Sequence, residues 1–325
     1  MITCPICQSG NTRELIQWKE FTINKCCDCK VIFSYPEPTN DELEKFYQGF
    51  MFRKPEDYEI RKHLKKRKKE LQELFVISET TEGSSSKKFL DYGGGTGMAY
   101  KAMSDFGLDS YYHDLDKQAK KFSQEKFGLT MEKVIEDVTK CNIKFDYILS
   151  DNVIEHVKNP HEFIGNLIKH LNSGGRIVIK TPHASNTELL LNPVISIKRY
   201  FLPALKYNSL IKSIRAYLLR FWCCDPPRHL YSFSKKSFDH VMKLNNEDGI
   251  RYTVSYYEVP WFENTITKQF FTKDKKLKGF HSVGVRILIF PIIPLELILQ
   301  GIRKLLLKLK ILSPGGLILT IEKNT

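Results

Sequence analysis

The stretch Leu90-Asp91-Tyr92-Gly93-Gly94-Gly95-Thr96-Gly97 decides the fold of this chain. An apolar run precedes it and a helical pattern from Met98 to Phe106 follows it, so it forms the turn between a strand and a helix. Glycines at such a turn let the backbone approach a ligand at the N-terminus of the helix. The stretch therefore predicts a nucleotide-like ligand, and the acidic residue before the glycines suits a cationic end of that ligand.

This glycine turn has competing interpretations. A dinucleotide-binding fold also pairs a glycine turn with an acid about twenty residues later, and Asp114 fits that position in either case. The spacing here is D-x-G-x-G-x-G, formed by Asp91, Gly93, Gly95 and Gly97, whereas the dinucleotide fingerprint is G-x-G-x-x-G. A further alternative is that these are turn glycines and strand-end acids of some other α/β protein.

Strands and helices alternate along the chain from residue 87. The expected strands are KKFLDYG, SYYHDL, TMEKVIE, FDYILSDN and GRIVIKTP, and the expected helices span about 98–106, 116–127 and 160–171. This alternation predicts an α/β fold with a doubly wound parallel sheet. Before it, apolar residues at helical spacing predict one helix from Glu56 to Phe75. The basic run within that helix, 61–69, forms either a solvated face or a phosphate-contacting patch.

The N-terminal cysteines form a pattern of their own. Cys4-Pro-Ile-Cys7 and Cys26-Cys27-Asp28-Cys29 are two C-x2-C knuckles separated by eighteen residues. In a reducing compartment such clustering favours a metal over disulfides, and two knuckles complete a closed tetrahedral site for a structural Zn²⁺ ion. We predict that Cys4, Cys7, Cys26 and Cys29 bind zinc, with Cys27 either spare or replacing a neighbour. A disulfide framework and unliganded core cysteines are the alternatives.

Composition excludes several classes of protein. The chain has 325 residues, 42% of them hydrophobic, which predicts about two folded domains and excludes a disulfide-stapled miniprotein and a wholly disordered chain. The net charge of +13 permits nucleic acid, anionic lipid or phosphorylated partners without selecting one. The first residues lack the features of a secretory signal, and the longest apolar run, 287–295, is shorter than the ~20 residues of a spanning helix. We therefore expect a cytoplasmic protein.

Four motifs in a fixed order extend the glycine turn into a family resemblance. They are FLDYGGGTG (89–97), HDLD (113–116), IEDV (135–138), and FDYILSDNVIEHVKNPHEFI (145–164) with LNSGGRIVIKTP (171–182) after it. Together they resemble the class I S-adenosylmethionine-dependent methyltransferases. The resemblance implies a Rossmann-like, seven-stranded, doubly wound sheet in which YTVSYYEV (252–259) and GLILTIEK (316–323) form an antiparallel pair.

The same resemblance implies the residues that bind S-adenosylmethionine. Asp91 with Gly93, Gly95 and Gly97 would hold the methionine moiety, and Asp114 would bind the ribose hydroxyls. The residues implied at the remaining parts of the cofactor are Asp137 and Val138 at the adenine and Asn152 near the methionine end.

The segments on either side of these motifs resemble those of a narrower group of methyltransferases. CPIC…CCDCKVIFSYPEPTNDELEKFY and Asp225-Pro-Pro-Arg-His-Leu-Tyr-Ser-Phe-Ser234 resemble segments of bacterial methyltransferases of sugar and cell-surface-polysaccharide pathways. The expected domains are a zinc ribbon (1–38), a helical linker (39–86) and a methyltransferase domain (87–325) with a helical cap insertion at about 185–225. The expected acceptor is a small molecule, a sugar or a lipid-linked saccharide, methylated on oxygen.

Two other functions remain as alternatives. The first is an RNA methyltransferase, in which the ribbon and the basic run 61–69 would bind the phosphate backbone of the RNA. No aromatic base-stacking platform accompanies that run, so we do not expect a nucleic acid partner. The other alternative is a non-catalytic scaffold, which measurable cofactor affinity and turnover would exclude.

Few residues need to act directly on a methyl group that is already electrophilic, but a hydroxyl acceptor calls for a base. His156 is the first candidate because it follows the fourth strand at the ligand-binding edge of the sheet. His229, with Tyr231 as an orienting group, is second, and His183 is third. The alternative to a catalytic role is that these histidines only stabilise the loop. The metal-binding motif E-x-x-E-H of some RNA and quinone methyltransferases lacks its first carboxylate here, where Asn152 stands, so we expect no catalytic metal.

Two basic segments predict contact with an anionic surface. No acidic residue occurs from Leu189 to Cys224, where Lys and Arg alternate with apolar residues, and Leu297 to Leu312 forms a basic amphipathic helix. The segments 189–224 and 297–312 would either touch the inner face of the membrane peripherally or pack on the protein, the second one by covering the sheet.

Overall fold

The computed structural model of the protein describes residues 2–48, 54–77, 87–188, 209–245, 248–258 and 292–325. Residues 49–53 and 78–86 of the expected helical linker and residues 189–208 of the expected cap insertion lie outside the described residues.

A six-stranded sheet in the order β5-β4-β6-β7-β10-β9 forms the centre of the described fold. Its strands are β4 (Lys88–Tyr92), β5 (Asp109–His113), β6 (Phe145–Asp151), β7 (Leu171–Pro182), β9 (Ile250–Tyr257) and β10 (Gly316–Lys323). The first four run parallel, β10 pairs antiparallel with β7, and β9 pairs antiparallel with β10. The doubly wound parallel sheet and the antiparallel pair predicted from the sequence are thus confirmed.

Helices cover both faces of this sheet. The described helices are α1 (Asn40–Gln48), α2 (Asp57–Phe75), α3 (Met98–Asp105), α4 (Lys117–Phe127), α5 (Pro160–Lys169), α6 (Leu210–Phe221), α7 (Lys235–Leu244) and α8 (Ile292–Lys308). Of these, α2 and α3 pack on one face of the sheet, and α5 and α7 pack on the other. Local sequence sets their ends: the Asp116 carboxylate accepts two backbone N–H bonds at the start of α4, and Asn159 caps α5 ahead of Pro160.

Alternating side chains of the central strands divide the core into two layers. Ile148 and Ile177 belong to the layer that contains α5 and α7, whereas the adjacent Leu149 and Val178 belong to the layer beneath α2 and α3. Because successive strand residues point to opposite faces, the continuous apolar runs of β6 and β7 match strands that are buried on both sides.

The N-terminal ribbon forms a second sheet, in the order β1-β2-β3-β8. Its strands are β1 (Thr12–Trp18), β2 (Phe21–Cys26), β3 (Ile32–Tyr35) and the short β8 (Tyr231–Ser232) from the far end of the chain. Ile32 and Phe33 pair with Ser232 and Tyr231, and the ribbon cysteines share one hydrophobic cluster with the core of the main sheet. The ribbon is therefore packed onto the sheet rather than tethered beside it.

The strand expected at TMEKVIE does not form, so the described main sheet has six strands instead of the predicted seven. Met131–Lys133 forms a single 3-10 turn, and only Val134 makes a bridge, to Tyr112 of β5. Asp137 then caps a second 3-10 turn, Val138–Lys140, by accepting the Thr139 backbone N–H. Because the chain turns away so soon, the seventh strand is reduced to one bridge.

The tail helix α8 does not cover the sheet with its apolar face, which was one of the two alternatives predicted for this segment. Ile298 is 58% exposed and Leu305 55%, and both lie on one side of the helix. Arg303 on the other side is only 2% exposed and forms ion pairs with Glu188 and Glu258. The helix is thus held through a buried guanidinium. Among the described residues, no helix combines the length and the apolar character needed to span a bilayer.

Candidate active site

The glycine turn lies at the carboxyl edge of the sheet, where the strand order reverses between β4 and β6. The backbone N–H groups of Gly93 and Gly94 both donate to the His113 carbonyl, at 2.8 and 3.0 Å. Gly93 has φ +72°, and a Cβ there would lie 2.3 Å from Val153. Gly97 has φ +72° as well, and its Cβ would lie 2.0 Å from Ser123. Glycine is therefore required at both positions.

Asp91 lies beneath this turn and is 4% exposed. Its Oδ2 accepts the Tyr100 backbone N–H at 2.9 Å, near the start of α3. Burial raises the pKa of this carboxyl to about 7. A buried carboxyl near the first turn of a helix, poised between its two protonation states, is suited to a cationic ligand group.

Asp114 follows β5 and holds the turn from the other side. Its Oδ2 accepts the Gly95 backbone N–H at 2.7 Å, and its Oδ1 accepts the Asp116 backbone N–H at 2.7 Å. Burial raises the pKa of Asp114. Apart from the two chain neighbours of Gly95, no described residue has an atom within 4 Å of the position that a Cβ on Gly95 would take. The structure therefore brings the four residues Asp91, Gly93, Gly95 and Gly97 together with Asp114.

A cavity of about 290 Å³ opens beside these residues. Its lining comprises Tyr92, His113, Leu115, Glu136, Asp137, Val138, Thr139, Phe163, Asn166 and Leu167. Asp137 accepts hydrogen bonds from the Thr139 backbone N–H and hydroxyl, which lowers its pKa. The His113 Nδ1 atom is buried without a hydrogen-bond partner among the described residues. A cavity of this size that is lined by aromatic and aliphatic side chains together with the Asp137 carboxylate fits a nucleobase.

Asn152 lies at the end of β6, where its backbone has φ +60°, a conformation that asparagine tolerates better than most residues. Its N–H donates to the Lys180 carbonyl at 2.9 Å, and its Nδ2 donates to Asp151 at 2.8 Å. It is therefore on the same edge of the sheet as the glycine turn.

A cluster of charged residues at this edge was missed by the sequence analysis. Arg67 of α2 lies 2.7 Å from the Asp151 carboxylate and 2.9 Å from Glu70, and Lys180 of β7 pairs with the same two acids. Burial alone would raise the pKa of Asp151, but Lys180 and Arg67 lower it on balance. The cluster fixes α2 over the carboxyl ends of β6 and β7.

This cluster changes the interpretation of the basic run 61–69. Arg67 and Lys68 point inward, with Lys68 2.8 Å from Asp105, while Arg61, Lys62 and Lys65 are exposed. Sequence spacing gave no signal for this division, because the partners of Arg67 and Lys68 are distant in the chain.

The first two candidate bases, His156 and His229, lie together. Their ring centroids are 4.7 Å apart. The His156 Nδ1 is 2.8 Å from the Arg228 carbonyl, and the His229 Nδ1 is 2.6 Å from the Asp225 carboxylate. Burial lowers the pKa of His156 to about 4, so its imidazole is neutral at physiological pH.

Glu155 adjoins the two histidines and is 1% exposed. Its Oε2 accepts the Thr181 hydroxyl at 3.0 Å, whereas its Oε1 has no hydrogen-bond partner among the described residues. Burial raises the pKa of this carboxyl to about 8. Its position directly before His156 was the only sequence signal for it.

The remaining candidates lie elsewhere. His183 is buried, and its Nδ1 donates to the Pro314 carbonyl at 3.0 Å, which ties β7 to the segment before β10. The Tyr231 hydroxyl donates to the Lys158 carbonyl at 2.9 Å. The orienting group of His229 is therefore Asp225 rather than Tyr231.

The four cysteines of the knuckles converge. The Sγ atoms of Cys4 and Cys29 are 3.6 Å apart, those of Cys7 and Cys26 are 3.5 Å apart, and all four lie within 4.8 Å of one another. A tetrahedral ion with zinc–sulfur bonds of about 2.3 Å needs sulfurs about 3.8 Å apart, so the arrangement fits one zinc ion.

Hydrogen bonds and position favour Cys26 over the adjacent Cys27 as a metal ligand. The Cys26 Sγ accepts the backbone N–H groups of Asp28 and Cys29, both at 3.4 Å, which stabilises a thiolate. Cys27 lies outside the four-cysteine group.

Comparison with models of known protein families gives a match. A family model described as "Methyltransferase domain" matches residues 59–247, more than half of the chain. Comparison with curated protein sequences found no match.

Several solved structures are similar to this chain. Phosphoethanolamine N-methyltransferase 2 of Haemonchus contortus, with phosphomonomethylethanolamine and S-adenosylhomocysteine bound, is 14% identical, with a TM-score of 0.47 over 80% of this chain and 52% of that one. The plantazolicin methyltransferase BamL is 16% identical, with a TM-score of 0.45 over 88% and 96%. An Archaeoglobus fulgidus SAM-dependent methyltransferase is 13% identical, with a TM-score of 0.43 over 86% and 98%. This chain thus spans about half the length of the Haemonchus enzyme, and these likenesses identify no substrate.

Proposed function

This chain belongs to the methyltransferase-domain family, and we propose that it transfers the methyl group of S-adenosylmethionine to an oxygen of a small-molecule or glycan acceptor, a sugar or a lipid-linked saccharide. One observation carries the proposal. The buried Asp91, the glycine turn and Asp114 adjoin a cavity lined by Asp137 and Val138. This order of groups matches a ligand with a cationic end, a ribose and a flat base.

The cofactor residues follow from that order. Asp91 would bind the α-ammonium group, Asp114 the ribose hydroxyls, and Asp137 with the backbone of Val138 the adenine. Gly93, Gly95 and Gly97 would let the chain pass close to the methionine portion, and Asn152 would line its end. S-adenosylmethionine supplies an electrophilic methyl group when bound.

The chain's own contribution to the reaction is alignment and proton removal. His156 and His229 lie side by side at the carboxyl edge of the sheet, so either could accept the proton of an acceptor hydroxyl. Asp225 would fix the orientation of the His229 ring. α2, held by the Arg67–Asp151 ion pair, would close one side of the site and exclude water.

The acceptor class is supported by the ribbon, which precedes the family match, and by the segment 225–234 within it. The ribbon and the segment from Asp225 to Ser234 resemble those of sugar and cell-surface-polysaccharide methyltransferases, and His229 belongs to that segment. An RNA acceptor has less support, because Arg67 and Lys68 of the basic run are engaged in ion pairs within the fold.

We propose a structural Zn²⁺ ion on Cys4, Cys7, Cys26 and Cys29, and a division into a ribbon (1–38), a linker (39–86) and a methyltransferase domain (87–325). The fit of the four sulfurs to one tetrahedral ion supports the metal. Such an ion would hold the two knuckles together and leave no open position for chemistry.

The decisive test is binding and turnover. Purified protein should bind S-adenosylhomocysteine at micromolar concentrations, and Asp91→Asn and Asp114→Asn should weaken that binding while Asp116→Asn should not abolish it. Mass spectrometry of cell-surface glycans should then show a loss of one methyl group when the gene is deleted. Absence of binding to either form of the nucleoside at millimolar concentrations would refute the proposal.

We further propose that the protein works in the cytoplasm, in peripheral contact with the inner face of the membrane. α8 presents Ile298, Ile302 and Leu305 outward, Leu309 directly after the helix is exposed as well, and the exposed Lys304 lies beside Leu305. α6, in the basic segment 189–224, likewise exposes apolar side chains, namely Leu210, Ile211 and Ile214. Each lysine near an anionic surface adds about 1 kcal/mol to the attraction. A lipid-linked acceptor would be reached from that position.

Vesicle flotation tests this contact. Vesicles of phosphatidylglycerol should carry the protein upward, vesicles of phosphatidylcholine should carry much less of it, and added salt should reduce the binding. The double variant Ile302→Ser and Leu305→Ser should lose binding. Leu244→Ser, which removes an apolar residue that is 70% exposed on α7, is the matched control and should bind normally. No flotation with anionic vesicles would remove the proposal.

A further inference from the structure

We propose that Glu155, His156 and His229 form a second metal site, separate from the four cysteines, which binds a divalent first-row transition metal ion. The ligand atoms of these three side chains all lie within 4.8 Å of one another. The sequence by itself predicts no catalytic metal, because Asn152 stands where a first carboxylate would be needed. The fold supplies a ligand from a distant segment instead.

The carboxylate is the strongest sign of a missing partner. Glu155 is buried, and Thr181 satisfies its Oε2, but its Oε1 has no hydrogen-bond partner among the described residues. A buried acceptor without a partner is unfavourable, so native folds leave few of them. A cation beside Oε1 and the two imidazoles would satisfy it.

The two histidines are oriented as metal ligands usually are. The His156 Nδ1 is bonded to the Arg228 carbonyl, which can only accept, so this nitrogen carries the proton and Nε2 carries the lone pair. The His229 Nδ1 is 2.6 Å from the Asp225 carboxylate, which selects the same tautomer. A backbone carbonyl and a carboxylate are the outer partners that fix ligating histidines.

The two segments that carry these ligands are bonded to each other. The Leu230 backbone N–H donates to the Glu155 carbonyl at 2.9 Å, and the Ser34 N–H of β3 donates to the Leu230 carbonyl at 3.0 Å. The residue after His229 is therefore fixed between Glu155 and the ribbon. The closeness of the three ligands follows from this backbone pairing and does not depend on one side-chain rotamer.

The ligand set indicates the class of metal. Two imidazoles and one carboxylate favour zinc, iron, cobalt or manganese over magnesium and calcium, which prefer oxygen ligands. Three protein ligands leave at least one coordination position open. On the proposed function, that position would take the acceptor hydroxyl. A bound ion would occupy the lone pairs of both imidazoles, so it would replace them in proton removal by lowering the pKa of the hydroxyl, whose proton would pass to solvent. Metal binding itself does not depend on that function.

Titration with Co²⁺ tests the site in the full chain with its ribbon saturated with zinc. Isothermal titration should show one further ion per chain. The visible spectrum should lack a thiolate-to-cobalt charge-transfer band, because cysteine would not be a ligand; zinc holds the ribbon more tightly than cobalt does. No uptake of Co²⁺ by the wild-type chain at millimolar concentration would overturn the proposal, as would a thiolate band.

Variants then assign the ligands. His229→Ala and Glu155→Gln should each weaken Co²⁺ binding by at least about tenfold, whereas His63→Ala, on the exposed side of α2, should bind as the wild type does. Ribbon zinc content and circular dichroism report whether each variant is folded. Unchanged affinity in both folded variants would overturn the assignment. S-adenosylhomocysteine binding, measured in parallel, shows separately whether the proposed function fails.

Discussion

Lowering the pH should weaken the binding of S-adenosylhomocysteine through protonation of Asp91. Burial raises the pKa of this carboxyl to about 7, so about half of the free protein carries it protonated at neutral pH. An α-ammonium group binds only the ionised form, so a bound ligand lowers the pKa of Asp91. Protons and the ligand therefore compete for the same carboxylate.

The size of the effect follows from linkage. The dissociation constant scales with one plus the ratio of protonated to ionised Asp91 in the free protein. With a pKa of about 7, it should rise roughly 50-fold between about pH 7 and about pH 5. An ordinary α-amino group, with a pKa of about 7.7–8.0, stays charged over this range. S-adenosylhomocysteine is the cleaner probe because its sulfur carries no charge.

Isothermal titration across this range, with the wild type and Asp91→Asn, measures the competition. The variant should bind more weakly near neutral pH and show a nearly flat profile, because its amide does not titrate. Circular dichroism at each pH checks that the fold is retained. A flat wild-type profile, or an equal slope in the variant, would show that Asp91 does not bind the cationic group.

Two further predictions concern the turn and the ribbon. Gly97→Ala should lower the free energy of unfolding, measured by urea denaturation, by about 2–4 kcal/mol, because the new Cβ would collide with Ser123 at a left-handed φ. The control Gly128→Ala has a similar φ but open space around its Cβ, so it should lower the free energy of unfolding by only about 1 kcal/mol. Equal losses in the two variants would refute the steric argument. Cys27→Ser should retain one zinc per chain by elemental analysis and Cys26→Ser should lose it; retention by both would mean that Cys27 replaces Cys26.

The parts of the fold that local sequence specifies were predictable. The turn glycines, the apolar strands and the spaced knuckles each express a constraint within a few residues, and the structure places all of them as expected. The expected strand at 130–136 was harder to predict. Its residues favour a strand, but the Asp137 cap redirects the chain after one bridge.

The parts of the site that depend on long-range contacts were not predictable. Nothing in the helical period of α2 shows that Arg67 faces Asp151, because ion-pair partners distant in sequence leave no local pattern. The same holds for His229, which is brought to Glu155 by the hydrogen bond between Leu230 and the Glu155 carbonyl and by the pairing of β8 with β3. The outward face of α8 also escaped prediction, since periodicity identifies an amphipathic helix without saying which side the protein buries.

The pairing of β3 with β8 has a consequence for how such a protein can diversify. Tyr231 and Ser232 complete the ribbon's sheet, and they lie within a few residues of His229. A genetic exchange that replaced only the first 38 residues would leave β8 paired with a strand of different sequence and would shift His229, a residue of the proposed site. Ribbon and segment 225–234 must therefore be inherited together, and transplanting one into a relative requires transplanting the other.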